Sequence, residues 1–413
     1  MSQSIRFALV VIVLVAVLGG FNALVHRRVS AAFMLATFGR RALAAFFALG
    51  LAGIFAGRFL PSAFWARLVS GLGWVVEIGV LIAGLVLLAV GLLVALGDRV
   101  LRAGKWGKTP TSPTIAPVED ASSPEAARVN LPPLPFALSR RDLLSRASAT
   151  AALAIGGGSA TYGALSGRHD YVVEEVPIRL ARLPRQLDGF TIAQLSDLHL
   201  GLFVGDWEMA RAVELVKRAR PDVIAITGDM IDHQIAYADQ LGRLVRMLSE
   251  VAPVLAVPGN HDHYAGVDAV LAAVRRGGGT VLLNQSVRVG EQRIVVAGVD
   301  DLWARRRRLG RGPDLDAALS NGVDDAPCVL LAHQPEYFEE SASRVDLQLS
   351  GHTHGGQFNL GVRPAGFVLP HGWVAGRYEV GPAQLYVNRG FGTAGPPARL
   401  GAPPEVTRLV LTV

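Results

Sequence analysis

The sequence predicts an α/β domain over residues 168–413, with its sheet covered on both faces, preceded by an α-helical membrane region. Three observations carry that reading. Short apolar runs in the C-terminal part end in polar clusters and alternate with helix-like stretches. Three long uncharged runs fall within the first 100 residues. The formal charge of +6 divides unevenly, with 15 basic and 6 acidic residues in 1–167 against 25 and 28 in 168–413. A hydrophobic fraction of 51% and a charged fraction of 18% exclude a disordered or nucleic-acid-tail protein. The lone cysteine, Cys328, excludes an intramolecular disulfide framework and any Cys-rich zinc or iron–sulfur site.

The membrane region comes first. Phe7–Val25 is uncharged and broken only by Asn22, Ala42–Gly57 is a second run, and Ile78–Gly97 is a third, extended upstream by Leu68–Val76 except for Glu77. Spanning the hydrocarbon core takes ~20 apolar residues. The alternative, a signal peptide followed by buried core helices, fits poorly with three such runs so close together. Glu77 reads as an interfacial residue near a helix end. Residues 1–100 are therefore expected to form three transmembrane helices, and 101–138, dense in proline, an extended cytoplasmic linker. Residues 139–167 begin with Ser139-Arg140-Arg141-Asp142-Leu143-Leu144, similar to a twin-arginine export signature. They continue into the uncharged stretch Ala147–Gly167, long enough for a fourth span.

Loop charge gives an orientation. Arg27, Arg28, Arg40 and Arg41 lie between runs one and two. Arg99, Arg102, Lys105, Lys108, Arg128, Arg140, Arg141 and Arg146 lie between runs three and four, and only Arg58 and Arg67 lie between two and three. The positive-inside bias makes the rich connections cytoplasmic. With a fourth span, 168–413 is extracytoplasmic on a multi-pass inner-membrane protein. Without it, that domain is cytoplasmic.

In 168–413, Phe190–Leu195 runs into Ser196-Asp197-Leu198-His199, Pro221–Thr227 into Gly228-Asp229, and Val254–Val257 into Pro258-Gly259-Asn260-His261. Ile294–Ala297 ends at Gly298, Cys328–Leu331 runs into Ala332-His333, and Asp346–Leu349 runs into Ser350-Gly351-His352-Thr353-His354. Helix-like stretches, Glu208–Ala219 and Asp239–Leu248, separate the first three. Ligands in such sheets sit beyond the C-terminal strand ends. Asp197 and His199 are two apart, so an extended chain turns both side chains to one face, and His352 and His354 repeat the spacing. With Asp229, Asn260 and His333 these make seven oxygen and nitrogen donors and no sulfur. That is too many for one four-coordinate zinc and suits two metals sharing a carboxylate.

These residues resemble the motif blocks of the calcineurin-like metallophosphoesterases, in Asp197-Leu-His199, Gly228-Asp229, Gly259-Asn260-His261, His333 and Gly351-His352-Thr-His354. Leu195-Ser-Asp-Leu-His-Leu-Gly201, His333-Gln-Pro-Glu336 and Pro403-Pro-Glu405 resemble the branch with N-terminal membrane segments. The resemblance covers Val172 to Val413 and implies a sheet sandwich flanked by helices. It implies one metal on Asp197, His199 and His354, another on Asn260, His333 and His352, and Asp229 between them. The two divalent ions would be manganese, iron, zinc or similar. It further implies in-line attack of a metal-bound hydroxide on phosphorus, His261 as the catalytic histidine at the leaving oxygen, and Asp232 as the carboxylate orienting it. His233 stands where many relatives carry a phosphate-contacting arginine, which leaves the phosphate clamp unassigned. No nucleotide-cradling Gly loop is present.

The expected function is a membrane-anchored phosphomonoesterase, phosphodiesterase or pyrophosphatase acting on an envelope or lipid-linked phosphorylated substrate, with no nucleic-acid partner. The alternative is a catalytically inactive metal-binding regulator or scaffold, disfavoured because every ligand and His261 are present. A transporter is disfavoured by the near absence of charge inside the spans. Secondary candidates are Arg305–Arg308 as a phosphate or headgroup site, His263 and Tyr264 as pocket lining, and Arg389 as a substrate contact. For His371 and Trp373 the favoured reading is a surface loop.

Overall fold

The computed structural model describes residues 3–60, 63–103, 139–291, 293–309, 311–320, 326–359 and 361–413. The expected Pro-rich linker falls outside the described residues from 104 to 138. The chain divides into two compact units, Met1–Gly53 with Val75–Ser159, and Ile54–Trp74 with Ala160–Val413.

The first unit is helical. It is built from α1 (Gln3–Ala32), α2 (Thr37–Ala56), α3 (Ala63–Ala103) and α4 (Arg140–Leu165), the last three shared with the second unit. The three apolar runs lie in α1, α2 and α3. Val11–Ala32, Thr37–Ala56 and Ala63–Gly97 are long and apolar enough to cross a membrane. The expected fourth span is one continuous helix, but its Ala, Gly, Ser and Thr content keeps α4 out of that set. Ser139 caps α4, its hydroxyl accepting from the Asp142 amide at 3.1 Å, so Arg140 and Arg141 open the first turn. Further along, Arg146 Nε donates to the Ala32 carbonyl at the end of α1 (3.1 Å). At Gly156 the α4 backbone lies against the Gly79 carbonyl of α3, an approach that no larger residue at 156 permits.

One expectation fails here. Glu77 does not sit at a helix end. It lies well inside α3, is 1% exposed, and accepts from Asn22 Nδ2 of α1 at 3.2 and 3.1 Å. Burying a carboxylate in an apolar bundle is costly unless a donor meets it, and the only polar residue of the first apolar run supplies that donor.

The second unit contains two six-stranded sheets. In the first the order is β1 (Val172–Arg179), β12 (Glu405–Thr412), β2 (Thr191–Leu195), β3 (Val223–Thr227), β4 (Val254–Val257) and β5 (Thr280–Val281). In the second it is β10 (Gly376–Val380), β11 (Ala383–Val387), β9 (Leu347–Ser350), β8 (Cys328–Leu331), β7 (Ile294–Gly298) and β6 (Gln285–Val289). The expected sandwich is present. Strand alternation explains it. Ile192, Val223, Ala225, Leu255 and Val257 turn inward to meet Ile294, Val296, Val329, Leu331, Leu347 and Leu349. Their neighbours Ala193, Leu195, Ile224, Ile226, Val254 and Ala256 turn outward. There they pack under α5 (Asp206–Ala219), α6 (Ala238–Ser249) and α8 (Val267–Arg276). Because both faces are covered, these strands are apolar at most positions, which is why they read as runs rather than as an alternating pattern. The helix α7 (Asn260–Ala265) follows β4 directly, and α9 (Leu302–Arg306) follows β7. The parallel ladders β2–β3–β4 and β7–β8–β9 send their C-terminal ends into loops that carry all seven expected ligands.

Candidate metal centre

Five of the seven expected ligands stand in sharp turns beyond strand ends. Asp197, His199, Asp229, His352 and His354 all have φ between 48° and 71°, the left-handed region that non-glycine residues seldom occupy. Such strain persists only where surrounding structure enforces it, and it gathers at functional sites. The enforcement is visible. The amides of Asp197 and His199 donate to Gly228 O and Asp229 O (both 3.0 Å), so the loops after β2 and β3 fix one another. His352 N donates to both Asp197 carboxylate oxygens at 3.0 Å. A side chain at Gly351 would collide with Ser196 Oγ and Asp197 Oδ2, so only glycine lets that loop come so close.

The donors converge in two sets around Asp229. In the first, His199 Nε2 and His354 Nε2 face each other at 3.0 Å, with Asp197 Oδ1 at 3.4 Å from His354 and Asp229 Oδ2 at 3.7 Å from His199. In the second, His333 Nε2 lies 3.2 Å from Asn260 Oδ1, 3.2 Å from His352 Nδ1 and 3.3 Å from Asp229 Oδ2. Asp197, His199, Asp229, His333 and His354 are almost wholly buried. Opposed imidazole nitrogens beside buried carboxylates fit a cation, and donors of this type suit borderline divalent ions.

The charges at the site act strongly on one another. Burial pushes the Asp229 carboxyl up, but His333, His261 and His199 outweigh it and hold the group well below the usual range. Burial pulls His333 down, yet Asp229, Asp197 and Asp301 together hold it well above its ordinary value. Burial and His333 push His352 down to about 4.

His261 opens α7 beside Asn260. Its amide donates to Asp229 Oδ1 (2.8 Å), its Nδ1 lies 2.8 Å from the Asp232 carbonyl oxygen, and its ring meets His199 edge-on at 4.6 Å. Asp232 therefore holds the ring mainly through its backbone. Its carboxylate is 3.4 Å from His261 Nδ1 but 2.7 Å from His233 Nδ1. His233, half-exposed, stands 4.7 Å from the His261 ring.

A model of the calcineurin-like phosphoesterase family matches residues 190–356. An uncharacterized metallophosphoesterase of Bacillus subtilis (strain 168), YkuE, is 34% identical over 288 residues, which cover 66% of this chain and 98% of that protein. The chain belongs to the calcineurin-like phosphoesterase family. A Danio rerio transmembrane protein with metallophosphoesterase domain is 34% identical over 267 residues, 61% of this chain and 60% of that protein. An uncharacterized metallophosphoesterase of Helicobacter pylori (strain ATCC 700392 / 26695) is 34% identical over 245 residues, 58% of this chain and 63% of that protein. The chain thus spans less than two thirds of the length of the Danio rerio and Helicobacter pylori relatives.

Two residues of this metallophosphoesterase site escaped sequence reasoning. Asp262 accepts from the amides of Gly259 (2.8 Å), Met230 (2.9 Å) and Ile231 (3.1 Å), lashing the loops after β3 and β4 together. Burial and the nearby Asp229 push its carboxyl up to about 6. Its position two after Asn260 was the available signal. Arg399 is 1% exposed. Its guanidinium fans onto the carbonyls of Arg389 (2.8 Å), Gly392 (3.0 Å from Nε), Gly390 (3.1 Å) and Ala402 (3.1 Å), with Nη2 3.2 Å from His354 Nδ1. It lies in a Gly- and Pro-rich segment that carries no such signal.

The secondary candidates resolve differently. His263 does not line an open pocket: its Nε2 meets Asp300 Oδ1 at 2.8 Å with both side chains buried. Tyr264 is partly exposed and packs between His261 (5.1 Å) and Trp303 (4.9 Å). Arg305 and Arg306 pair with Glu340 and Glu336, and Arg307 lies over the Trp303 ring. Arg389 is bound to Glu174 and Glu405 and serves structure. His371 pairs with Glu339 at 2.6 Å and stacks on Trp373, which is itself buried against Phe338.

Proposed function

We propose that the chain is a membrane-anchored phosphoesterase with a dinuclear divalent-metal centre, acting on a phosphomonoester, phosphodiester or pyrophosphate bond of an envelope or lipid-linked substrate. The observation that carries this reading is the pair of donor sets sharing Asp229, with His261 at their edge. One set is Asp197, His199 and His354, and the other is Asn260, His333 and His352. Ions bound there would supply an activated water and offset charge growing on the phosphoryl oxygens.

The chain's own residues orient and move a proton. With Nδ1–H directed at the Asp232 carbonyl, His261 keeps Nε2 for the leaving oxygen. Groups in that role contribute ~10²–10⁴-fold. His261→Asn in the full chain should therefore lower kcat on bis(p-nitrophenyl) phosphate with Mn²⁺ by ~10²–10⁴ while metal content stays unchanged. Full activity in this variant, or no metal-dependent turnover in the parent, would sink the assignment.

The lipid-linked substrate is supported by where the anchor meets the domain. Arg67 and Gly71 of α3 pack on Gly205 and Phe203, in the loop that follows ligand His199. An active site held at a bilayer meets lipid headgroups at high effective concentration. The same contact supports an extracytoplasmic domain on a multi-pass inner-membrane protein. The α2–α3 connection, poor in basic residues, shares a compact unit with residues 160–413, whereas Arg27, Arg28, Arg40 and Arg41 belong to the first unit. A reporter active only outside the cytoplasm, fused after Val413, should be active. Activity of only a cytoplasm-specific reporter would overturn this topology.

A further inference from the structure

The loop that follows the last two metal-type ligands presents its apolar side chains outward. Residues 361–369 begin seven positions after His354 and include the single turn Pro364–Phe367. Within it Phe367 is 86% exposed, Val368 83% and Val362 59%. Isolated apolar residues on a surface are ordinary, but three large ones gathered on one short loop mark an interaction site.

The base of this loop is tied to the C-terminal end of α4. Asn359 N donates to Leu400 O at 2.7 Å, Leu400 N donates to Gln357 O at 2.9 Å, and Asn359 Nδ2 donates to Gly401 O at 3.1 Å. Next to Leu400, Arg399 N donates to Gly163 O in the last turn of α4 at 3.0 Å. His169, three residues beyond the Ser166 that follows α4, borders the same recess as Arg67 of α3. Exposed Phe59, Phe64 and Trp65, flanking the α2–α3 connection of this unit, are the residue types that settle at a membrane interface. Arg363, inside the loop, adds a cation suited to anionic headgroups.

We infer that the 361–369 loop is a bilayer-contacting surface. Phe367, Val368 and Val362 enter the acyl boundary of the membrane that holds α1–α3 and bring the metal centre to phosphoesters whose apolar part stays in the lipid. This rests on the membrane-anchored phosphoesterase reading and names the physical state of its substrate. The occupant is the lipid itself, because the same chain is tethered to a membrane and the loop's base is bonded to the segment that caps α4.

The test uses the full chain in phosphatidylcholine–phosphatidylglycerol vesicles. Cys328 is buried, so Val368→Cys offers one reactive thiol for an environment-sensitive fluorophore. The label should be quenched by doxyl-labelled lipid and shielded from aqueous iodide; the reverse pattern overturns the inference. In parallel, Phe367→Ser/Val368→Ser should keep turnover of soluble bis(p-nitrophenyl) phosphate. Hydrolysis of vesicle-embedded phosphatidyl-p-nitrophenol should fall about tenfold or more, as two side chains lose their apolar burial. An equal fall on both esters would overturn the loop's role. Absence of turnover on either ester in the parent protein would refute the phosphoesterase reading instead, and the quenching result would still decide this one.

Discussion

Asp229→Asn should be the most damaging single change to activity, lowering kcat/KM for bis(p-nitrophenyl) phosphate on the order of a thousandfold or more. No other expected ligand belongs to both donor sets. Its Oδ2 is 3.7 Å from His199 Nε2 and 3.3 Å from His333 Nε2, while Oδ1 accepts from the His261 amide at 2.8 Å. Asparagine keeps the shape and an acceptor for that amide, so the turn into α7 survives. What disappears is the negative charge that His333, His261 and His199 surround. Elemental analysis should show the metal content reduced along with turnover. Chelation of the parent protein should lower its melting temperature, because ions that bind only the folded state stabilise it by mass action. A variant with near-parental turnover and metal content would remove Asp229 from the centre.

Arg399→Met should produce the largest loss of stability among single changes at the site, about 3–5 kcal/mol. The guanidinium is buried at 1% exposure and serves carbonyls of Arg389, Gly390, Gly392 and Ala402 as well as His354 Nδ1. Methionine fills the volume but leaves those acceptors without donors in a place water cannot reach. At ~2–4 °C per kcal/mol for a domain of this size, the melting temperature should fall by about 10 °C. Arg399→Lys should not rescue it, since a point ammonium cannot span the planar fan. A second readout separates positioning from bulk stability. Below the melting transition, metal affinity should also fall, because the fan fixes the backbone of His354 and of the 389–392 turn beside it. Unchanged affinity would confine Arg399 to a structural role.

The expected ligand positions were legible because α/β sheets concentrate polar residues at strand ends. The apolar runs ending at Asp197, Asp229, Asn260, His333 and His352 correspond to β2, β3, β4, β8 and β9 with shifts of at most two residues. Burial on both strand faces also explains why the two-sheet arrangement was not readable from the runs alone. A strand packed under helices and a strand packed on another sheet have the same apolar pattern.

What stayed hidden is long-range. A carboxylate such as Glu77 looks the same in sequence whether it sits at a helix end or deep inside, and nothing local announces that Asn22 of another helix will meet it. Arg399 resembled an ordinary loop cation because its partners, scattered over 354–402, assemble only in the fold. Arg389 had the position expected of a substrate contact, but Glu174 and Glu405 claim it.

The placement of β12 has a consequence for biogenesis. It is inserted between β1 and β2, parallel to the first across eight register pairs and antiparallel to the second. Every expected ligand precedes it in the chain. During synthesis, therefore, the ribosome has produced all of the metal-type ligands while the sheet beneath β2 still lacks its neighbour. The segment carrying Arg399 and Glu405 likewise follows every one of those ligands. Pairings this distant in sequence form slowly. The unfinished domain then exposes the unpaired edge of β2 until residues 405–412 arrive, a window in which aggregation is the competing fate.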